Sequence, residues 1–465
     1  MADPVAPRSD VFVFFGATGD LAAKEIFPSL QAMARRGRLD VPVVGVAFDP
    51  LSLEGFRARA RAALEEHGGV DDEAFRKLAA SLRYVGGDYK DPATFARLRE
   101  AIDGAKRPLH YLAIPPSLFG TVAEGLAASG SAENARVVVE KPFGRDLASA
   151  RELTRTLRRF FAEDAIFRID HFLGKEPVQN LVYFRFANSF LEPVWNRDHV
   201  RSVQVTMAED FGVKGRGRFY EEVGAIRDVV QNHLLQVAAL LTMEPPAGPG
   251  RGALLDAKAS ALRAVRPLTR EDVVRGQFRG YREEKGVAPG SAVETYAALR
   301  LTIDTWRWAG VPFLIRTGKC LPVTATEVRV TFRRPPVDLF GDVNGTPPDQ
   351  IRLRLGPEVV IALGARAKRA GEAMVGEPIE MRAVHQRSDE MLPYERLLGD
   401  ALSGDSTLFT REDGVEAAWR VVDAVAGMTD APYGYEAGSW GPAEAARLLD
   451  GDERWYDPAA AEPPA

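Results

Sequence analysis

Between Val11 and Phe15 the chain runs through five apolar residues without a break, and Gly16-Ala-Thr18-Gly19-Asp20-Leu21-Ala22 follows before a helical pattern begins. An uninterrupted apolar run of that length suits a parallel strand covered on both faces. Strand, glycine turn, helix is the order in which doubly wound sheets hold phosphate, because glycines let the backbone approach a pyrophosphate and the helix start presents amides and partial positive charge. The spacing differs from the commoner Gly-x-Gly-x-x-Gly, and a glycine pair after a strand is often only a tight turn. Its place at the head of a series favours the binding reading: Val41 to Phe48, Leu109 to Ile114 and Val137 to Val139 are further strand candidates separated by helical stretches. Repeated βαβ units make residues 1–170 a Rossmann-like α/β domain.

Beyond residue 170 the texture changes. Val200 to Met207, Tyr296 to Ile303 and Thr326 to Phe332 alternate apolar with polar residues, as half-buried antiparallel strands do. Residues 171–465 are therefore expected to form a second, larger α+β domain. Glu244-Pro-Pro-Ala-Gly-Pro-Gly-Arg-Gly and Pro335-Pro336 read as surface loops. Residues 1–9 and 457–465 are rich in Pro and Ala with little to bury, and fraying is expected at both ends.

The 465 residues are 46% hydrophobic and 27% charged, a globular balance, and no apolar run approaches the roughly 20 residues of a membrane helix. The start Met-Ala-Asp-Pro-Val-Ala-Pro lacks the basic and apolar regions of a secretory signal, so a cytoplasmic location is expected. Cys320 is the single cysteine and the six histidines have no zinc-ligand spacing, so neither an internal disulfide nor metal chemistry is expected. A net charge of -5 argues against a nucleic-acid face and leaves any anionic ligand to a local basic pocket.

At the end of the second strand, where the adenosine ribose lies in such folds, the chain reads Gly45-Val-Ala-Phe48-Asp49-Pro50. An aspartate accepts hydrogen bonds from a free 2′-hydroxyl and repels a 2′-phosphate, which leans toward NAD. Asp49 also opens a turn with Pro50, and Arg57 or another distant arginine is long enough to reach in. Pro115-Pro116 and Glu140-Lys141-Pro142-Phe143-Gly144 follow two other strands, at the carboxyl ends where ligands bind.

Residues 168–176, Arg-Ile-Asp-His-Phe-Leu-Gly-Lys-Glu, concentrate Asp170, His171 and Lys175. The spacing suggests a turn opening a helix with His171 and Lys175 on one face, able to hold a phosphate; the plainer reading is a capped helix with two solvated side chains. Further on, Gly224 to Gln236 reads as a helix on which Asp228 and His233, five residues apart, lie about 140° from each other and could only line different sides of a pocket. A histidine among Val and Leu is more often a packed core residue. A carboxylate such as Asp170, bonded to one nitrogen of that ring, would instead leave the other free to take a hydroxyl proton as hydride leaves the same carbon.

Together these motifs resemble the glucose-6-phosphate dehydrogenase family over almost the full length. They are Gly-Ala-Thr-Gly-Asp-Leu-Ala at 16–22, Glu-Lys-Pro-Phe-Gly at 140–144, the nine-residue run at 168–176 and Arg-Asp-Val-Val-Gln-Asn-His at 227–233. Trp306-Arg-Trp308, Val311-Pro-Phe, Arg316-Thr-Gly-Lys319, Gly404-Asp-Ser-Thr-Leu-Phe409 and Gly438-Ser-Trp-Gly-Pro442 follow in family order. The resemblance implies oxidation of the C1 hydroxyl of glucose 6-phosphate to a lactone, a pentose phosphate pathway reaction, with hydride passing to NAD or NADP. It implies His233 as general base, Asp170 as its orienting carboxylate, His171 and Lys175 on the phosphate, Glu209, Asp228 and Lys319 on the sugar, and Lys141 between substrate and cofactor. The cofactor would meet Gly16, Thr18, Gly19, Asp20, Leu21, Phe48, Asp49, Pro115 and Lys141. A broad, mainly antiparallel sheet used to form a homodimer or homotetramer is also implied.

Three departures carry information. Phe172 stands where the family usually has a tyrosine, which removes a hydrogen bond to the phosphate worth roughly 1.5 to 3 kcal/mol. Thr324 stands where many relatives have a second basic residue, and Phe48 replaces the arginine of NADP-using relatives. NAD use equal to or better than NADP is the expectation, and no motif supports a second, structural NADP site. The alternatives are a dehydrogenase of another sugar or sugar phosphate, as in relatives of glucose-fructose oxidoreductase that lack the 168–176 run, and a catalytically silent assembly subunit. The latter would be expected to lose the base or its partner, yet His233, Asp170 and Lys175 are all present.

Overall fold

A computed structural model describes residues 7–341, 346–371, 373–385 and 390–460. They form two compact units. The first comprises Met1–Glu176, Pro246–Asp256 and Glu390–Glu416; the second comprises Pro177–Pro245, Ala257–Asp389 and Ala417–Ala465.

In the first unit, β1 (Val11–Phe15), β2 (Val43–Ala47), β3 (Leu82–Gly86), β4 (Pro108–Leu112), β5 (Arg136–Glu140) and β6 (Ile166–Ile169) make one sheet in the order β3-β2-β1-β4-β5-β6. Every neighbouring pair is parallel. That is the dinucleotide-binding order, whose direction reverses between β1 and β4 and so opens a crevice at their carboxyl ends. β1, β2 and β4 are buried throughout, as their apolar runs require, with Phe14, Phe27, Phe56 and Tyr84 packed ring against ring beneath them.

β3 and β6 escaped the sequence reading because charge masks them. Arg83 points outward from the edge strand β3, and Arg168 is buried in β6 by a two-pronged ion pair to Glu163, 2.6 and 3.0 Å.

The second unit is built on nine strands: β7 (Val200–Ala208), β8 (Val273–Phe278), β9 (Tyr296–Leu301), β10 (Phe313–Gly318), β11 (Ala325–Phe332), β12 (Gln350–Gly356), β13 (Val359–Lys368), β14 (Gly376–His385) and β15 (Tyr433–Tyr435). Their order is β14-β13-β12-β11-β7-β10-β9-β8-β15. The pairs β7–β10 and β8–β15 are parallel and the rest antiparallel.

The alternation in β7 does not mark a half-exposed strand. Ser202, Gln204 and Thr206 are buried as fully as their apolar neighbours. The end of the chain covers them: Gln204 donates to the Arg454 carbonyl at 2.8 Å and accepts from the Tyr456 amide at 2.8 Å. The fraying expected of the terminal segments is corrected for the same reason. Arg316 donates to the Tyr456 carbonyl and the Asp457 carboxylate, Arg354 to the Ala459 carbonyl at 2.9 Å, and at the other end Ser9 is buried with its amide on Leu402. The outermost parts of that expectation, residues 1–6 and 461–465, lie outside the described residues.

Candidate active site

In the first unit the candidates gather at the carboxyl edge of the sheet. Gly16 leaves β1 at φ +79°, and a Cβ there would stand 2.1 Å from the Ala113 carbonyl oxygen, so β1 and β4 approach this closely only through glycine. Gly19 closes the turn by donating to the Gly16 carbonyl at 2.9 Å, and Tyr89 braces it by accepting from the Gly16 amide and donating to Val46. Thr18 sits in the turn, Asp20 and Leu21 open the helix, and residues Ala22–Ile26 are wound as a π-helix. This cradle at the sheet's reversal point fits a dinucleotide pyrophosphate. Pro115 follows β4 and leads into the short helix Pro116–Leu118.

At the end of β2, Phe48 is 71% exposed and the Asp49 carbonyl accepts from the Tyr84 hydroxyl at 2.5 Å. Burial first, then the Asp49 charge, pushes that phenol up to about 12. Arg57, the arginine considered for the ribose from sequence, is tied elsewhere: it pairs with Glu54 at 2.7 Å and donates to the Ala79 carbonyl at 2.9 Å.

β5 and β6 end in register, Glu140 opposite Ile169, which sets Lys141 and Asp170 at the tips of neighbouring strands. Asp170, 2% exposed, caps the turn that follows, its Oδ1 accepting from the Phe172 amide at 3.0 Å. His171–Gly174 is a 3₁₀ turn, Lys175 is extended (φ -71°, ψ 128°), and the α-helix starts only at Glu176. The expected single helix carrying His171 and Lys175 on one face is therefore corrected. The Lys175 ammonium lies 4.6 Å from the centre of the Phe172 ring, and its charge works against the burial that raises the Glu25 carboxyl. The His171 ring stacks parallel to Tyr394 at 6.2 Å. Tyr111 and Tyr394 both donate to Glu140, whose carboxyl burial raises to about 7 against the opposing pull of those hydroxyls and Lys141.

In the second unit the parallel pair β7–β10 ends with Ala208 opposite Gly318, and the next residues, Glu209 and Lys319, form an ion pair of 2.5 Å. The Lys319 ammonium lies 5.0 Å from the Phe211 ring centre and 5.6 Å from that of Tyr220. Tyr220, buried, has its phenol pushed far up by burial and then by the charges of Asp228 and Glu209. Glu209, Asp228 and Lys319, scattered in sequence, thus surround one ring. Thr324 is spent on a neighbour, its hydroxyl bonded to the Asp210 carboxylate at 2.5 Å.

The segment Ile226–Leu234 is a π-helix. Its i to i+5 bonding brings residues five apart toward one side of the helix, which corrects the α-helical expectation that Asp228 and His233 line different sides. His233 is 5% exposed. Two residues before the π-helix stands Gly224, whose φ of +63° and ψ of 179° break the preceding helical segment Gly217–Ala225. A Cβ on Gly224 would stand 2.4 Å from Oε1 of Glu294, and that same oxygen accepts from the Ile226 amide at 3.1 Å. Burial raises the Glu294 carboxyl, and Arg275, 3.4 Å away, favours its charged form. Tyr220, Glu294, Tyr89 and Tyr394 carried no signal in the sequence; a glycine inside the helical run at Gly224 did.

Two family models match the chain: "Glucose-6-phosphate dehydrogenase, NAD binding domain" over residues 13–180 and "Glucose-6-phosphate dehydrogenase, C-terminal domain" over 182–457. The chain is 46% identical to glucose-6-phosphate 1-dehydrogenase 1 of Mycobacterium tuberculosis, with 98% of each chain covered, and 37% identical to the Bacillus subtilis glucose-6-phosphate 1-dehydrogenase, with 96% of this chain and 98% of that one covered. Among solved structures, the glucose-6-phosphate 1-dehydrogenase of Mycobacterium avium superposes with a TM-score of 0.93 at 46% identity, covering 98% of this chain and all of that one. A glucose-6-phosphate dehydrogenase in complex with its substrate glucose 6-phosphate superposes with a TM-score of 0.88 at 35% identity, covering 96% of this chain and 98% of that one.

Proposed function

The chain belongs to the glucose-6-phosphate dehydrogenase family, and from that premise we propose that His233 is its general base and Asp170 the carboxylate that orients it. Its reaction is the oxidation of D-glucose 6-phosphate at C1 to 6-phospho-D-glucono-1,5-lactone, with NAD(P)+ taking the hydride. The observation that carries this is the match of both family models, end to end, to a chain that keeps every titratable residue the reaction needs.

His233 takes the proton of the C1 hydroxyl as the carbon–hydrogen bond breaks, and Asp170 stabilises the ring once it is charged. When bound, the nicotinamide cofactor supplies the hydride acceptor. His171 and Lys175 hold the phosphate, Glu209, Asp228 and Lys319 hold the sugar, and Lys141 reaches both substrate and cofactor. The Phe172 ring that seats Lys175 supports this assignment in spite of the missing hydroxyl. The turn residues Gly16, Thr18, Gly19, Asp20 and Leu21 take the pyrophosphate, and Phe48 with Asp49 favours NAD at least equally with NADP.

Among the described residues no helix is long and apolar enough to cross a membrane. The outer strands β13 and β14 expose Leu363, Ile379 and Met381, an apolar face assigned to a second copy of the chain; light scattering of the full chain reads that mass directly.

Initial rates of NADH and NADPH formation with glucose 6-phosphate, beside free glucose at matched concentration, test the substrate and the cofactor together. Phosphate-dependent formation of NADH at a rate at least equal to NADPH is expected; activity only on another sugar would sink the assignment. His233→Asn should remove most of kcat while leaving the KM for glucose 6-phosphate within a few fold, because it deletes proton transfer and not the phosphate site. Near-normal turnover would take His233 out of the mechanism.

A further inference from the structure

The helix Leu53–Glu66 carries three arginines, Arg57, Arg59 and Arg61, at every second position. A step of two residues turns an α-helix by about 200°, so Arg57 and Arg61 share one face and Arg59 takes the opposite one. The outer two are engaged on the side of the neighbouring helix Asp72–Ser81: Arg57 with Glu54 and the Ala79 carbonyl, Arg61 with Glu65 at 3.2 Å and Asp72 at 3.0 Å. Arg59 turns the other way and donates to the Thr18 carbonyl, in the glycine turn. Among the described residues no carboxylate forms an ion pair with it.

A second observation places the same guanidinium at the end of β2. The Tyr84 phenol, whose hydroxyl bonds to the Asp49 carbonyl, has its charged form disfavoured by the Asp49 carboxylate and favoured by Arg59. Asp49 and Arg59 therefore both act on the Tyr84 phenol, and Arg59 at the same time touches the turn assigned to the pyrophosphate. One of the five guanidinium N–H groups is used on Thr18. The others keep the fork geometry that matches a phosphate.

We infer that Arg59 reads the 2′-phosphate of NADP, supplying from the helix after β2 the cation that Phe48 does not supply at the end of β2. The chain is then built for either cofactor: the Asp49 carboxylate accepts from a free 2′-hydroxyl, and Arg59 draws a 2′-phosphate outward, away from that carboxylate. The inference rests on the reading that the glycine turn and the end of β2 hold the adenosine half of the cofactor.

The test uses the full chain and two probes that differ by one phosphate, adenosine 2′,5′-bisphosphate and AMP, with affinities measured by calorimetry on the native protein and on Arg59→Ala. The variant should bind the bisphosphate tenfold or more weakly and AMP less than twofold more weakly, and the NADP to NAD ratio of kcat/KM should fall by the same tenfold. Equal weakening of both probes would reduce Arg59 to a brace for the turn and overturn the inference, as would unchanged binding of the bisphosphate. A native chain that binds neither probe would instead overturn the underlying placement of the adenosine.

Discussion

Glu140 is half-buried, and the loss of water around its carboxyl lifts it from 4.5 to about 7 while Tyr111 and Tyr394 donate to it. A carboxyl raised in the folded state stabilises fully below its unfolded value, and that contribution disappears as pH rises through the folded one. Between about pH 4.5 and pH 7 the fold therefore loses up to roughly 3 kcal/mol through this group. Glu140→Gln keeps an acceptor for both tyrosines and removes the charge. Its melting temperature should exceed that of the native chain by more at pH 8 than at pH 5, and thermal scans showing no growth in that gap would refute the reading. The exposed pair at the end of β2 bears on recognition, not stability. Phe48→Arg with Asp49→Ser should move the ratio of specificities toward NADP, because it exchanges a repulsive carboxylate for a cation beside the 2′-position; a ratio unmoved by the double change would show that these positions do not select the cofactor.

At the scale of the element, the Ile226–Leu234 π-helix decides most, since its pitch turns Asp228 and His233 toward the same side. Its start is held by two features that act together, the glycine-only backbone of Gly224 and the Glu294 carboxylate on the Ile226 amide. Gly224→Ala adds both a conformation that L side chains avoid and a clash with Glu294, and should cost roughly 2 to 4 kcal/mol in denaturant unfolding. It should also lower kcat by at least tenfold in whatever fraction stays folded, because the base moves with its helix; a variant with native stability and native kcat would show that the kink is incidental. Apolar periodicity announced a helix here but not its pitch. A π turn differs from an α turn by one residue in the hydrogen-bond ring, and the Glu294 carboxylate that meets the helix start lies 61 positions beyond His233. The same limit applied to residues 168–176, where the spacing of His171 and Lys175 suited a helix and the chain instead makes a 3₁₀ turn with a break at Lys175.

Across the second unit, residues 454–459 cover buried polar groups of the sheet. Arg316, 2% exposed, lies between the rings of Trp440 and Trp455, 4.6 and 5.1 Å from their centres, and bonds to Tyr456 and Asp457. Arg329 sits 3.8 Å from the Tyr456 ring. Removing residues 455–465 would strip Gln204, Arg316 and Arg354 of these partners, so the truncated chain should melt at least 10 °C lower or express as an aggregate. A truncation that melts with the native chain would show that the segment merely lies on the surface.

The sequence by itself determined the parts of this protein that local rules govern: the doubly wound sheet, from strand and turn signals repeating every few tens of residues, and the family, from short motifs such as residues 168–176. Tertiary structure decided what depends on distant partners. Polar residues of β7 are buried because the chain's end supplies their hydrogen bonds, and Glu209 meets Lys319 because two strands separated by a hundred residues lie parallel and in register. Arg59 turned to the glycine turn while Arg57 and Arg61 found carboxylates, a choice made by what packs on each side of one helix. Local propensity is carried by neighbours in the chain; the direction of a charged side chain and the pitch of a helix are set by whatever the fold brings against them.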